Sequence, residues 1–102
     1  MNFNLKDVKD GIRENAKAGG TVGETSFTIA DFGDGYDVYC NITLINPEGV
    51  EEKNSLQMAE EVTKGKAEAQ AKRQAQSLTK FGYPTEYIGN ENEIWEAKKN
   101  VQ

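Results

Sequence analysis

The sequence predicts an α+β fold: a three-stranded antiparallel meander with an N-terminal helix and a long C-terminal helix packed on one face, plus a short C-terminal helix. Three observations carry this prediction. Apolar residues recur at helical spacing near the start of the chain, alternate along residues 36–45, and give way to regularly spaced alanines between residues 66 and 81. A sheet with helices on one face is the ordinary outcome of that order.

The first helix is predicted from apolar side chains that share one face: Leu5, Val8, Ile12 and Ala16. Asn4 is a suitable N-cap, and Gly19 is a suitable C-terminal stop. Gly11 in the interior costs an isolated helix about 1 kcal/mol relative to alanine. We therefore expect this helix to be docked on the rest of the domain.

Strand signals follow the first helix. Phe27 and Ile29 alternate with polar or small neighbours, and residues 32–36 contain the Gly-Asp-Gly sequence of a tight hairpin turn. The second strand is predicted over Tyr36 to Ile45, where one face collects four apolar side chains: Val38, Cys40, Ile42 and Leu44. Residues 46–49, Asn-Pro-Glu-Gly, are typical of a type I turn.

Residues 50–62 fit two structures. Polar and apolar residues alternate there as in a third antiparallel strand, but Asn54 or Ser55 could also cap a helix through Leu56, Ala59 and Thr63. We favour the strand, because a turn followed by alternation is the simplest continuation of a meander. A helix over about Lys66 to Phe81 then ends at Gly82. In the tail, a short helix is expected near residues 91–100.

The composition predicts a single domain, 1–102, located in the cytoplasm and without membrane contact. The chain starts with neither a basic segment nor an apolar run, so no signal peptide is expected. No stretch reaches the roughly 20 apolar residues that span a bilayer. Cys40 is the only cysteine, which excludes an internal disulfide and favours a reducing compartment.

The absence of histidine excludes Ser-His-Asp and Cys-His catalytic pairs and histidine-ligated zinc. We therefore predict a non-enzymatic protein with no cofactor and no metal site. Asp31, Asp34 and Asp37 surround a glycine turn, but their spacing lacks the pattern of a calcium loop and is typical of turn formers. Cys40 has apolar neighbours in its strand and is interpreted as a core residue.

Basic residues form a stripe on the predicted long helix. Lys66, Arg73 and Lys80 are seven residues apart, so they fall within about 40° of one another, opposite the alanines. Lys72 and Gln70 flank them. The stripe fits a solvated helix face, a contact with nucleic-acid phosphates, or a contact with an acidic protein surface.

The rest of the chain is strongly acidic. Between Lys64 and Lys80 five basic residues oppose one acidic residue, a net charge of +4, whereas the whole chain carries −5 and the remainder therefore −9. The predicted acidic surface comprises Asp34, Asp37, Glu48, Glu51 and Glu52. Such a surface could occupy a basic groove on a nucleic-acid-handling protein and compete with its natural ligand.

The order helix, three strands, basic helix resembles that of double-stranded RNA-binding domains and the sheet-plus-helix core of some phage annealing proteins. The resemblance covers residues 4–81 and concerns topology. The Lys-Lys-x-Ala-Lys cluster that opens the second helix of the RNA-binding domains is replaced here by Gly65-Lys66-Ala67-Glu68-Ala69. We therefore do not assign the chain to that family.

These observations favour a small acidic binding protein that acts through protein–protein contact as a regulator, inhibitor or accessory factor. Its brevity and its lack of enzyme motifs are typical of phage or mobile-element accessory proteins. The alternative is a nucleic-acid-binding module that places its basic stripe on backbone phosphates. The expected partner is a protein, and nucleic acid is the second possibility. The sequence specifies no oligomeric state.

Overall fold

The computed structural model of the chain describes residues 2–93. It is an α+β arrangement of two helices and a four-stranded mixed sheet. The elements in chain order are α1 (Leu5–Lys17), β1 (Thr21–Asp31), β2 (Tyr36–Ile45), β3 (Glu51–Val62), α2 (Lys64–Lys80) and β4 (Glu86–Asn90).

The strand order in the sheet is β3-β2-β1-β4. The first three strands form the antiparallel meander that the sequence predicts, and residues 51–62 form its third strand rather than a helix. The fourth strand was not predicted: β4 returns after α2 and pairs in parallel with β1. A short C-terminal helix is predicted near residues 91–100: residues 91–93 are helical, and residues 94–100 lie outside the described residues.

Local capping fixes both helix boundaries. In α1, Asn4 and Asp7 form a capping box, and Gly19 ends the helix at φ +93°. In α2, the Thr63 side chain accepts a hydrogen bond from the Lys66 amide, so the helix begins two residues before the predicted start. Gly82 follows it at φ +113°, a left-handed conformation that glycine adopts without strain.

Both helices pack on the same face of the sheet. Val8 and Ile12 of α1 and Ala67, Ala71, Ala75 and Leu78 of α2 share one core with the strands; the strand residues of that core are Phe27, Ile29, Val38, Cys40, Ile42, Met58 and Ala59. The sequence predicts Ala16 on the packed face of α1, but Ala16 is exposed. The buried part of this face therefore ends at Ile12. None of the helices in residues 2–93 has the length and apolar character needed to cross a membrane.

Candidate interaction surfaces

The two layers of the fold carry opposite charge. The helices α1 and α2 together contain nine basic and four acidic residues. The rest of residues 2–93, which is the sheet and its loops, contains twelve acidic residues and one basic residue, Lys53. The molecule therefore offers a cationic helix side and an anionic sheet side, each of which can attract a partner of opposite sign.

The predicted basic stripe lies on the outer face of α2. Lys66, Arg73 and Lys80 are exposed, whereas Ala67 and Ala71 on the opposite face are completely buried. The stripe extends over about 21 Å, because fourteen residues each rise about 1.5 Å. Its position follows from the alanines, which allow α2 to approach the sheet closely and turn the long cationic side chains outward.

The flanking residues of the stripe face different surroundings. Lys72 is exposed, and its ammonium nitrogen lies 5.8 Å from the centre of the Tyr87 ring on β4. Gln70 is half-buried. Lys72 is thus directed toward the sheet edge, at an angle to the line of Lys66, Arg73 and Lys80.

A second basic group, on α1, was not predicted. The side chains of Lys9 and Arg13 both lie over the Phe81 ring at the end of α2, 5.3 Å and 4.9 Å from its centre, and Lys9 donates a hydrogen bond to Ser77. These contacts join residues about seventy positions apart. The sequence carries no local signal for them beyond the outward position of both cations on an amphipathic helix.

The five predicted acidic residues do not form one patch. Asp34 and Asp37 lie at the β1–β2 turn, whereas Glu48, Glu51 and Glu52 lie at the β2–β3 turn. The ten residues of β2 separate the two turns by about 30 Å at roughly 3.4 Å per residue. The acidic surface predicted from composition is therefore two separate acidic ends of the sheet.

The acidic end at the β1–β2 turn is ordered by Asp37. Its carboxylate accepts hydrogen bonds from the Tyr39 hydroxyl, the Gln57 amide and the backbone amide of Glu61. Burial, followed by the nearby Asp37 carboxylate, raises the pKa of Tyr39 above its usual value, so the phenol remains a donor. Asp37 thus holds the β1–β2 turn against the end of β3.

This arrangement places further carboxylates beside Asp34. Glu60 and Glu61 at the end of β3 are exposed, and Gly35 lies so close to the Glu61 backbone that an added Cβ would be 2.8 Å from its carbonyl carbon. Residues 31–37 together with Glu60 and Glu61 are called the acidic tip below. Asp31 has a turn-forming role there, because its carboxylate accepts a hydrogen bond from the Gly33 amide.

The acidic tip also contains an exposed aromatic residue. Phe32 is 65% exposed, the highest value among the large hydrophobic residues that are exposed in residues 2–93. Its amide donates a hydrogen bond to the Gly35 carbonyl, which closes the tight turn. The sequence pattern predicts Phe32 only as part of a turn. A signal for its exposure was available in the sequence. Phe32 lies between aspartates in a hairpin turn, where the adjacent residues are not apolar.

A groove separates α2 from the start of β4. Its volume is about 490 Å³, and its lining includes Lys72, Ala75, Gln76 and Lys80 from the helix and Thr85 to Tyr87 from the strand side. Burial, together with the Glu68 and Glu93 carboxylates, raises the pKa of Tyr87. Lys80 of the predicted basic stripe and the flanking Lys72 therefore share a concave surface that the sequence did not predict.

The single thiol is buried, and the carboxylates of residues 2–93 are dispersed. Burial raises the pKa of Cys40 from 9.0 to about 12, so its nucleophilic thiolate form is suppressed at neutral pH. Within residues 2–93, no three carboxylate or thiol side chains come together in an arrangement that could hold a metal ion.

Comparisons with protein-family models, with curated proteins and with solved structures found no match for this chain.

Proposed function

We propose that this protein is a non-enzymatic binding protein that contacts a basic protein partner through the acidic tip. The observation that carries the proposal is that Phe32 is 65% exposed in a turn whose other residues include Asp31, Asp34 and Asp37. A phenyl group of this kind can enter an apolar pocket of a partner, while the carboxylates around it meet basic side chains. A protein with such a tip could regulate or inhibit a partner that normally holds an anionic ligand.

The rigidity of the tip supports this proposal. The three hydrogen bonds to Asp37, the turn bond between Phe32 and Gly35, and the close approach of Gly35 to Glu61 hold the turn in one arrangement. A surface that is already ordered loses less conformational entropy on binding, so more of the contact energy remains as affinity.

The test is quantitative capture of partners from a nuclease-treated extract of the cells from which the sequence comes. The baits are the full chain and its Phe32→Ala variant, and the matched control is Val50→Ala. Val50 is 61% exposed and lies in the β2–β3 turn, at the end of the sheet opposite the acidic tip. We expect Phe32→Ala to lose about 30-fold in partner recovery, since truncation of an aromatic interface anchor costs about 2 kcal/mol or more.

Because both side chains are exposed, the free energy of unfolding of each variant should stay within about 0.5 kcal/mol of the unsubstituted chain. Circular dichroism and urea unfolding check that point. Recovery of nothing above an empty resin, or equal losses for Phe32→Ala and Val50→Ala, would rule the acidic tip out as the contact surface.

A second candidate is binding of nucleic-acid phosphates by the helix side. The observation that favours it is the charge of α1 and α2, which together contain nine basic residues and only four acidic ones. Lys66, Arg73 and Lys80 are exposed along one line of α2. A mobility-shift assay at low salt, with single-stranded DNA and duplex RNA, compares the chain with Lys66→Glu/Arg73→Glu. Absence of any shift at micromolar protein ends this candidate, and a shift that the double variant loses supports it.

A further inference from the structure

The groove between α2 and β4 lies along an edge of the sheet. In the strand order β3-β2-β1-β4, β4 pairs with β1 on one side only, and no other described strand pairs with its second side. The free backbone groups of such an edge can hydrogen-bond to an added extended segment. A segment added here would lie beneath the flank of α2 that lines the groove.

The chemistry of the groove is apolar within and cationic at the helix rim. The Ala75 methyl group and the Tyr87 ring provide apolar walls, and the ammonium groups of Lys72 and Lys80 lie on the helix side. Glu86 is the one carboxylate among the lining residues described. Glu68 and Glu93 also lie near Tyr87. A ligand carboxylate is therefore favoured at the ammonium groups of Lys72 and Lys80 rather than beside the tyrosine ring.

β4 also carries an exposed apolar residue, Ile88, which lies outside the residues that line the groove. The register between β1 and β4 shifts between Phe27 and Thr28, where Ile88 has no paired residue. Ile88 is 52% exposed, an outcome typical of a bulge that redirects a side chain. An aliphatic side chain of a bound segment could pack against it.

The groove is also held in a fixed shape. The backbone amide of Thr85 donates to the Thr79 hydroxyl of α2, and the Thr85 and Thr25 hydroxyls are 2.6 Å apart, which ties the start of β4 to β1. Thr85 is itself buried, so these bonds are protected from water. The distance between helix and strand is therefore set before any ligand arrives.

We propose that this groove binds an extended peptide with alternating acidic and aliphatic side chains, which pairs with the edge of β4 that no strand within residues 2–93 covers and directs its carboxylates to Lys72 and Lys80. The proposal goes beyond the acidic tip, because it uses the other sign of charge and a different part of the molecule. A negative result for the groove would therefore not affect the proposal for the acidic tip, and the converse also holds.

The experiment is an NMR titration of the full ¹⁵N-labelled chain with a capped six-residue peptide of alternating glutamate and valine. Expected shifts concentrate at residues 72–80 and 85–90. Lys72→Glu/Lys80→Glu should weaken binding at least tenfold. The matched control, Lys66→Glu/Arg73→Glu, makes the same charge change on α2 away from the groove and should alter affinity by less than threefold.

A second peptide, N-methylated at alternate residues, tests strand pairing, since methylation removes the amide donors; it should bind at least tenfold more weakly. Equal effects of the two double variants, equal binding of both peptides, or no shift at millimolar peptide overturns the proposal. Shifts in the groove that grow with protein concentration alone would assign it to a second copy of the chain, which also overturns it.

Discussion

Cys40 illustrates how one side chain responds to the layered core. It lies on β2 between Phe27 of β1 and Leu56 of β3 and is completely buried. Ionisation would place a thiolate in apolar surroundings, so burial raises its pKa to about 12. The folded state therefore holds this proton more tightly than the unfolded state.

Alkaline pH should expose this difference in stability. A group whose folded pKa is raised stabilises the fold below the unfolded pKa, and that contribution is lost as pH rises through the folded pKa. The relevant window runs from about pH 9 to 12. Between pH 8 and pH 11 the free energy of unfolding should fall by about 3 kcal/mol more in the unsubstituted chain than in Cys40→Ala, at about 1.4 kcal/mol per pH unit above the unfolded pKa.

Urea unfolding at several pH values gives the free energy of unfolding of both proteins. Both contain the other titrating groups, Tyr39 and Tyr87 among them, so the contributions of these groups cancel in the comparison. Parallel pH profiles for the two proteins would show that Cys40 ionises as readily in the folded chain as in the unfolded one, contrary to its burial.

At the scale of the element, α2 depends on small side chains. Ala67 and Ala71 are completely buried against the sheet, and Ala75 and Leu78 continue the same face. The methyl side chains of the three alanines allow the helix axis to lie closer to the strands than larger side chains would. The position of α2 in turn fixes both the stripe and the groove.

Ala71→Leu should therefore destabilise the chain by about 1–3 kcal/mol through overpacking. Ala69→Leu is the matched control, because Ala69 lies on the same helix but is exposed, and its effect should stay within about 0.5 kcal/mol. Thermal or urea unfolding gives both values. Similar small effects for the two variants would mean that α2 does not pack closely on the sheet.

Elements with local signals could be predicted from the sequence. The caps at Asn4, Gly19 and Gly82 and the alternation along β2 are properties of neighbouring residues, and all four predictions are confirmed. β4 has no such signal: its five residues lack alternation and include Gly89, and it forms through pairing with β1 about sixty residues away. A sequence pattern does not encode a partner at that separation.

The candidate surfaces likewise divide into features that a local sequence pattern predicts and features that depend on tertiary packing. The outward position of Lys66, Arg73 and Lys80 follows from helical periodicity alone. The distance between Asp34 and Glu48 could not be predicted without the length of β2. The groove beside Lys72 could not be predicted without β4. Tertiary packing therefore determined which charged residues became neighbours.

At the scale of the whole molecule, separation of charge is the dominant feature. The net charge of −5 conceals a helix side with a surplus of basic residues and a sheet side with twelve acidic residues against one basic residue in the described chain. Each side creates its own local field at distances below the Debye length, about 8 Å at physiological salt. Binding at either side should weaken as salt rises.

The most direct measurement of the central claim is a hydrogen–deuterium exchange footprint of the chain in complex with the basic protein that the Phe32-dependent capture recovers. Contact through the acidic tip predicts slowed exchange at residues 31–37 and 57–61, with exchange in residues 64–80 unchanged. Protection concentrated on residues 64–80, with none at residues 31–37, would contradict the account.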